Sequence, residues 1–343
     1  MSKKLMLIFS TLLIGGLLFA ACGPAASGGE GILVCQITDT GGIDDKSFNA
    51  TAWKGITDAQ EQLGIRGTYL ESQEVADYEK NLNAFVEEGC DLIITVGFLI
   101  GDATAAAAEA NPDQKYSIID YAYDPAIPNV VGQVFNTDEA AFLAGYAAAA
   151  VTKTGKVGTF GGLPIPTVTI FMKGFVEGVN YYNNAKGTSV EVLGYNIEDE
   201  SGLFSMDFDD QQKGRELAVS LMDEGADIIM PVAGPVGLGA AAAIQERGNA
   251  YLIGVDSDWY LTAPEYGEFT LTSVMKKMDA TTLAVIESVI DDTFAGGVVV
   301  GTLENQGVDI APWHDLSGLI SAELQAEIDQ IREDIIAGTI DLQ

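Results

Sequence analysis

The sequence contains few positive charges, histidines or cysteines. Its 343 residues include 17 Lys and Arg against 50 Asp and Glu, with one His and three Cys, and the formal net charge is −33. Nucleic acid phosphates repel such an acidic chain, which excludes a DNA- or RNA-binding role. A single imidazole argues against a Ser-His-Asp hydrolase and a multi-histidine metal site. Three thiols are too few for a zinc ribbon or a disulfide-rich scaffold.

The sequence is nevertheless rich in apolar residues. Hydrophobic residues make up 48% of the chain, and the mean hydropathy is +0.19. A disordered acidic protein would have far fewer apolar residues. A chain of this length and composition predicts two domains, each with its own core.

The N-terminus has the features of an export signal. Residues 1–21 combine a basic start with an uncharged apolar run, which predicts a signal peptide. Small residues precede Cys22, a pattern that resembles a bacterial lipobox and predicts cleavage before Cys22 and acylation of its thiol. Residues 22–30 would then be a flexible tether. An uncleaved membrane anchor is the alternative, and in both cases the rest of the chain is exported and tethered.

Two further cysteines, Cys35 and Cys90, lie in apolar, strand-like segments. We interpret them as buried small hydrophobic residues rather than as a redox pair. The sequence is also compatible with a disulfide between the two, because exported proteins form disulfides.

Strand-like and helix-like segments alternate along the chain, and this alternation restarts near residue 156. The pattern predicts parallel βαβ units and an α/β fold of two Rossmann-like lobes. The predicted strands are 32–38, a segment around Tyr69, 91–96, 116–120, 130–135, 157–160, 190–195, 227–232, 251–255 and 270–274. The predicted helices are 47–63, 77–89, 102–110, 138–152, 168–182, 209–224, 236–247, one ending at 292, and 322–337.

The loops after these strands are where open α/β sheets bind ligands. They are rich in Gly, acidic and aromatic residues and nearly free of Lys and Arg, which favours a neutral, planar, hydroxyl-bearing ligand over a phosphate. The glycines of Gly234–Gly239 do not have the dinucleotide-binding order. Asp207, Asp209 and Asp210 lack the Gly turn and closing Glu of a calcium loop, so we predict no metal site. No nucleophile is paired with a base, so we predict no enzyme.

The most specific motif is Ile37–Asn49. It places Asp39 at a strand end, and Phe48 and Asn49 on the first turn of a helix. With this motif the chain resembles the basic membrane protein family of purine-nucleoside-binding lipoproteins, which are substrate-binding components of ABC importers. The resemblance covers essentially the whole mature chain, and further motifs that carry it are Phe142–Tyr146, Gly161–Pro166, Lys173–Phe175, Ile253–Asp258 and Thr272–Lys276.

This resemblance implies the type I periplasmic binding protein fold, in which the chain crosses between the lobes three times. One lobe would hold residues 31–137 plus 275–300, and the other 138–274 plus 301–343. It also implies a monomer on the extracytoplasmic side of the cell membrane, held by its lipid. The implied partners are a purine nucleoside and the permease and ATPase of an ABC importer, with no cofactor.

The resemblance also implies the ligand contacts of the first lobe. Phe48 would stack on one face of a purine. Asp39 and Asn49 would contact the polar edges of the ligand, and Asp120 would face the base.

The second lobe would hold the sugar and close the site. Asp256 would accept hydrogen bonds from the ribose hydroxyls, Gly234 would allow close backbone approach, and Lys276 would bond the sugar near the hinge. Phe208 is the expected second stacking ring, with Phe204 as the alternative.

Two other functions stay open at this point. The same fold could bind a sugar or another small solute, because aromatic rings also stack on sugars. The chain could also be a ligand-sensing surface lipoprotein without a transport role. For a nucleoside site, the acidity favours the uncharged nucleoside over its phosphorylated form.

Overall fold

The computed structural model describes residues 31–342. The predicted signal peptide at 1–21, the acylated Cys22 and the tether at 22–30 lie outside the described residues. Within the described range, no helix is both long enough and apolar enough to cross a membrane.

Strands and helices alternate as the sequence predicts. The strands are β1 Leu33–Ile37, β2 Arg66–Leu70, β3 Leu92–Val96, β4 Lys115–Ile119, β5 Val130–Phe135, β6 Lys156–Gly161, β7 Glu191–Leu193, β8 Ile228–Val232, β9 Tyr251–Asp256, β10 Thr270–Lys276, β11 Gly297–Gly301 and β12 Val308–Ile310. The α-helices are α1 Phe48–Leu63, α2 Asp77–Glu88, α3 Gly101–Ala110, α4 Thr137–Val151, α5 Pro166–Lys186, α6 Gln211–Asp223, α7 Val236–Arg247, α8 Trp259–Thr262, α9 Met278–Ile290 and α10 Ala322–Ile336. Short 3-10 helices lie at Phe98–Ile100, Pro264–Phe269 and His314–Leu319.

The strands form two six-stranded sheets with the same order. The first is β11-β5-β4-β3-β1-β2 and the second is β12-β10-β9-β8-β6-β7. Five strands of each sheet follow the parallel 2-1-3-4-5 order of doubly wound folds. The sixth strand differs, because β11 pairs parallel to β5 whereas β12 pairs antiparallel to β10. This arrangement gives two lobes of matching topology.

The chain passes from one sheet to the other three times. These crossings follow β5, β10 and β11. Strand β10 extends to Lys276, so the predicted lobe boundary between 274 and 275 falls inside this strand. The extension matters because it places Lys276 at the carboxyl end of β10.

Helix α5 is longer than the predicted 168–182. It begins at Pro166, whose missing N–H costs nothing at a first helical position. It ends at Lys186 because Gly187 adopts a left-handed conformation, with φ of 67°. The start at Pro166 brings the first turn of α5 to the edge of the cleft.

Cys35 and Cys90 form a disulfide. The structure therefore contradicts the interpretation of the two as unpaired small hydrophobic residues and shows the alternative that the sequence leaves open. Both residues are buried as expected. Cys35 lies in β1, and Cys90 follows α2 immediately before β3. Because β1 and β3 are neighbours, the two Cα atoms lie 6.1 Å apart, within the range that a disulfide spans.

Candidate functional site

The carboxyl ends of the central strands of both sheets surround a cavity between the lobes. Seven of the eight residues that the sequence predicts as ligand contacts line it: Asp39, Phe48, Asp120, Phe208, Gly234, Asp256 and Lys276. The eighth, Asn49, lies behind Asp39. We call this space the central cavity.

Asp39 lies just beyond β1 and is held in place from two sides. Its Oδ1 accepts hydrogen bonds from the Asn49 carboxamide at 2.8 Å and from the Gly41 backbone N–H at 3.1 Å. Gly97, with φ of 112°, lies so close that an added Cβ would be 2.9 Å from Asp39 Oδ2. Burial outweighs these hydrogen bonds and raises the pKa of Asp39 to about 6. Asp39 is therefore a fixed acceptor that gains a proton only in mild acid.

Asn49 connects Asp39 to a second buried carboxyl group. Its Nδ2 also lies 3.2 Å from Asp45 Oδ2, while its Oδ1 is buried without a hydrogen-bond partner. An unpartnered buried acceptor is costly, so a donor from a ligand would be favourable here. The predicted ligand contact by Asn49 stays a prediction.

Asp45 fixes the start of α1 and therefore the position of Phe48. Its carboxylate accepts from the backbone N–H groups of Ser47, Asn49 and Ala50 at 2.7–3.0 Å. This is the role of a helix-capping side chain. Burial raises the pKa of Asp45 to about 7, against the effect of these hydrogen bonds.

Lys276 joins the two lobes through buried ion pairs. Its Nζ lies 2.6 Å from Asp120 Oδ2 and 3.5 Å from Asp256 Oδ1, and its side chain is 3% exposed. The same Nζ lies 4.8 Å from the centre of the Phe48 ring and 5.2 Å from that of Phe171. Burial opposes its charge, but the two carboxylates outweigh this and raise the pKa of Lys276. Lys276 is therefore a charged donor in the centre of the site.

Asp120 and Asp256 occupy matching positions in the two lobes. Asp120 follows β4 and Asp256 ends β9, and these strands are third in the order of their sheets. Both residues have positive φ, 67° and 68°. Such backbone strain in non-glycine residues concentrates at functional sites. Both residues line the central cavity.

Further contacts between the lobes close the cleft. The Ser47 hydroxyl donates to Asp256 Oδ2 at 3.0 Å, and the Ser257 hydroxyl donates to the Lys46 carbonyl at 3.0 Å. The central cavity has a volume of about 60 Å³, far below the roughly 300–1,000 Å³ of a typical ligand pocket. The lobes would have to separate before a nucleoside-sized molecule could enter.

The structure distinguishes the two candidates for the second aromatic ring. Phe208 lines the central cavity, and its ring packs over Gly162. Phe204 packs over Gly161 and pairs with it in an isolated bridge, and it is not among the cavity residues. Of the two rings, Phe208 is the one that borders the central cavity, and its stacking role stays a prediction.

Sequence reasoning missed several apolar residues of the cavity wall: Phe98, Leu99, Ile165, Val168 and Phe171. Phe98 and Leu99 directly follow Gly97 at a strand end, so their position carried a signal. Val168 and Phe171 lie on α5, where an apolar residue at helical spacing looks like any core residue.

Asp207, Asp209 and Asp210 organise the start of α6. Asp207 Oδ1 accepts from the backbone N–H groups of Asp209 and Asp210, and Asp210 caps the helix. Across residues 31–342, no cluster of three His, Cys, Asp or Glu side chains is arranged to hold a metal ion.

Comparison with known proteins agrees with this architecture. Residues 32–343 match the family model of PnrA-like ABC transporter substrate-binding proteins. The chain is 34% identical to Basic membrane protein A of Borreliella burgdorferi, over 98% of this chain and 94% of that protein. It is 30% identical to the ABC transporter nucleoside-binding protein BmpA of Lactococcus lactis, over 99% of both.

A solved structure shows the same fold. The crystal structure of an ABC transporter solute-binding protein from Aeropyrum pernix superposes with a TM-score of 0.81 at 28% identity, over 90% of this chain and 92% of that one. The prediction of the type I periplasmic binding protein fold is confirmed. The matched family consists of binding proteins, which also confirms that the chain is not an enzyme. The protein belongs to the PnrA-like family of ABC transporter substrate-binding proteins.

Proposed function

We propose that the protein binds a purine nucleoside in the central cavity and delivers it to the permease of an ABC importer. The observation that carries this proposal is the pair of rings, Phe48 from the first lobe and Phe208 from the second, on the walls of one cavity with carboxylates. The Lactococcus lactis relative is named a nucleoside-binding protein, which supports a nucleoside over a free sugar.

Binding begins with the lobes apart. The base stacks on Phe48, and closure brings Phe208 onto its other face, with about 1–3 kcal/mol expected from each stacking contact. Asp39 accepts from an N–H group at the edge of the base, and the Asn49 carboxamide holds Asp39 in position. Asp120 faces the base from the same lobe.

The second lobe binds the sugar. The ribose hydroxyls replace the Ser47 hydroxyl as hydrogen-bond donors to Asp256. Charge-assisted hydrogen bonds of this kind are strong. Lys276 donates to a sugar oxygen while it stays paired with Asp120. The ligand can lie close to the backbone at Gly234, because this residue lines the cavity without a side chain.

Closure gives the importer a surface to recognise. The bound nucleoside replaces direct contacts between the lobes with contacts through the ligand, so the closed form becomes the populated one. The closed protein would present both lobes to the permease on the extracytoplasmic side, tethered by a lipid on Cys22 and acting as a monomer.

The test is to identify the natural ligand. Mass spectrometry of small molecules released from the purified protein should find a purine nucleoside. A thermal-shift panel should then show stabilisation by nucleosides and little effect of free bases or free sugars. Stabilisation by a sugar alone would contradict the proposal.

A further inference from the structure

A second pocket adjoins the central cavity on the side of the first chain crossing. It lies where β5 leads into α4 and where α5 begins, and its walls include Phe135, Thr137, Pro166 and Ile170. We call it the hinge pocket. Its volume is about 220 Å³.

The two spaces are neighbours with a shared wall. Asp120, Thr167 and Lys276 line both of them. A ligand that contacts Lys276 in the central cavity is therefore adjacent to the hinge pocket. At about 30 Å³ for one water molecule, the hinge pocket has room for a substituent of several heavy atoms.

The walls of the hinge pocket favour an uncharged group. Phe135, Pro166 and Ile170 offer carbon surface. Its charged wall residues, Asp120 and Lys276, neutralise each other at 2.6 Å. Lys276 also faces Asp256, so it has no excess positive charge for a phosphate. A phosphate in this pocket would therefore face the Asp120 carboxylate, while Lys276 is already paired with carboxylates.

Thr137 lines the hinge pocket and has an unpartnered hydroxyl. Its side chain is 1% exposed, and its Oγ1 is buried without a hydrogen-bond partner. A buried hydroxyl without a partner costs free energy. A weak acceptor on a ligand, such as an ether or thioether, would give this hydroxyl a partner.

The geometry points to a subsite for a substituent on C5′ of the nucleoside, an inference that rests on the proposed function. With the base between the rings and the ribose hydroxyls at Asp256, C5′ is the remaining position from which a substituent can reach past Lys276. We propose that the hinge pocket accepts an uncharged alkylthio or alkoxy group at C5′. The substrate class would then be 5′-modified as well as unmodified purine nucleosides.

The test compares three ligands by calorimetry: adenosine, 5′-methylthio-5′-deoxyadenosine and adenosine 5′-monophosphate. Wild-type protein should bind the methylthio compound within about threefold of adenosine and the monophosphate at least about tenfold more weakly. If adenosine binds and the methylthio compound does not, the subsite is wrong and the proposed function stands. If neither these compounds nor inosine and guanosine bind, both are wrong.

A variant tests whether the hinge pocket is responsible. Ile170 lines the hinge pocket and not the central cavity, so Ile170→Trp should fill only the former. This variant should bind the methylthio compound about tenfold more weakly than wild type does, and its affinity for adenosine should stay within about twofold. The control Ile170→Leu should change neither affinity. Equal weakening of both ligands, or of neither, would overturn the proposal.

A further measurement needs no variant and covers the case in which Ile170→Trp does not fold. Wild-type protein is titrated with 5′-alkylthio adenosines of increasing chain length. Affinity should hold for the first few carbons and then fall once the pocket is full. A steady loss from the first carbon onward would overturn the proposal.

Discussion

Lys276 Nζ and Asp120 Oδ2 lie 2.6 Å apart, although Lys276 ends β10 of the second sheet and Asp120 follows β4 of the first. Both side chains are buried. The pair therefore joins the lobes at the position where the proposed sugar binds. In the proposed binding mode, closure and ligand recognition would use the same charged atoms.

Replacing Lys276 with Met should destabilise the protein. The change leaves Asp120 and Asp256 buried without their cation, and breaking such a pair costs about 3–5 kcal/mol. The free energy of unfolding from urea denaturation measures this. The control is Lys277→Met, at the neighbouring, more exposed lysine, which should cost less than about 0.5 kcal/mol. Equal stability of the two variants would contradict a structural role for the pair.

The two candidate rings should differ in their effect on binding. Phe208→Ala removes a wall of the central cavity and should weaken nucleoside binding by about tenfold or more. Phe204→Ala removes a ring that packs outside the cavity and should change affinity by less than about threefold. Calorimetry on both variants decides the question. The reverse order would assign the stacking role to Phe204.

Nucleoside affinity should depend on pH through Asp39. Its pKa is about 6, so the carboxylate is ionised at pH 7 and largely protonated at pH 5. An N–H donor on the base needs the ionised form, so affinity should fall about tenfold from pH 7 to pH 5. Asp39→Asn cannot titrate and should lose most of this dependence. An equally steep pH profile in the variant would assign the dependence to another group, with Asp45 next.

The raised pKa of Asp39 should affect folding and binding in opposite directions, because acid weakens binding but stabilises the ligand-free folded state. The ordinary pKa of Asp39 is 3.8, so between pH 3.8 and about 6 the folded state binds more protons than the unfolded state. Its contribution to the free energy of unfolding therefore rises as pH falls through this range. Urea denaturation of ligand-free wild type and Asp39→Asn at pH 7 and pH 5 should show that wild type gains more stability on acidification. No difference between them would show that Asp39 does not titrate in this range.

The disulfide should stabilise the first lobe. It joins residues 55 apart in sequence, and closing a loop of this length contributes about 2–4 kcal/mol. The double variant Cys35→Ala, Cys90→Ala should lose about this much and bind ligand normally, since neither residue lines the central cavity. A reducing agent should lower the stability of wild type and leave that of the double variant unchanged. Equal stability of wild type and double variant would contradict this.

The sequence predicts the fold well because its signal is local and repeated. Apolar strands, helix starts and glycine helix ends recur in the same order twice, which indicates two mainly parallel sheets. The C-terminal end of α5 is predicted less well. Polar residues such as Asn183 and Asn184 resemble a loop in sequence, but α5 includes them and ends at Lys186, before Gly187.

Residues at strand ends carry a sequence signal for the cavity wall, as Asp39, Asp120 and Asp256 do. Phe48 and Phe208 are expected from the family resemblance instead. Phe171 and Ile170 lie within a helix, where only three-dimensional packing shows which cavity each one lines. The Cys35–Cys90 bond is also a tertiary fact, because it depends on β1 and β3 being neighbours.

The most direct test of the proposed function is calorimetric titration of the purified mature protein with inosine, adenosine and guanosine. Wild type should bind at least one of them at a ratio of one to one. Phe48→Ala and Asp256→Ala should each weaken that binding by about tenfold or more, through loss of stacking and of hydroxyl recognition. No binding of any of the three by the folded wild-type protein would contradict the proposed function.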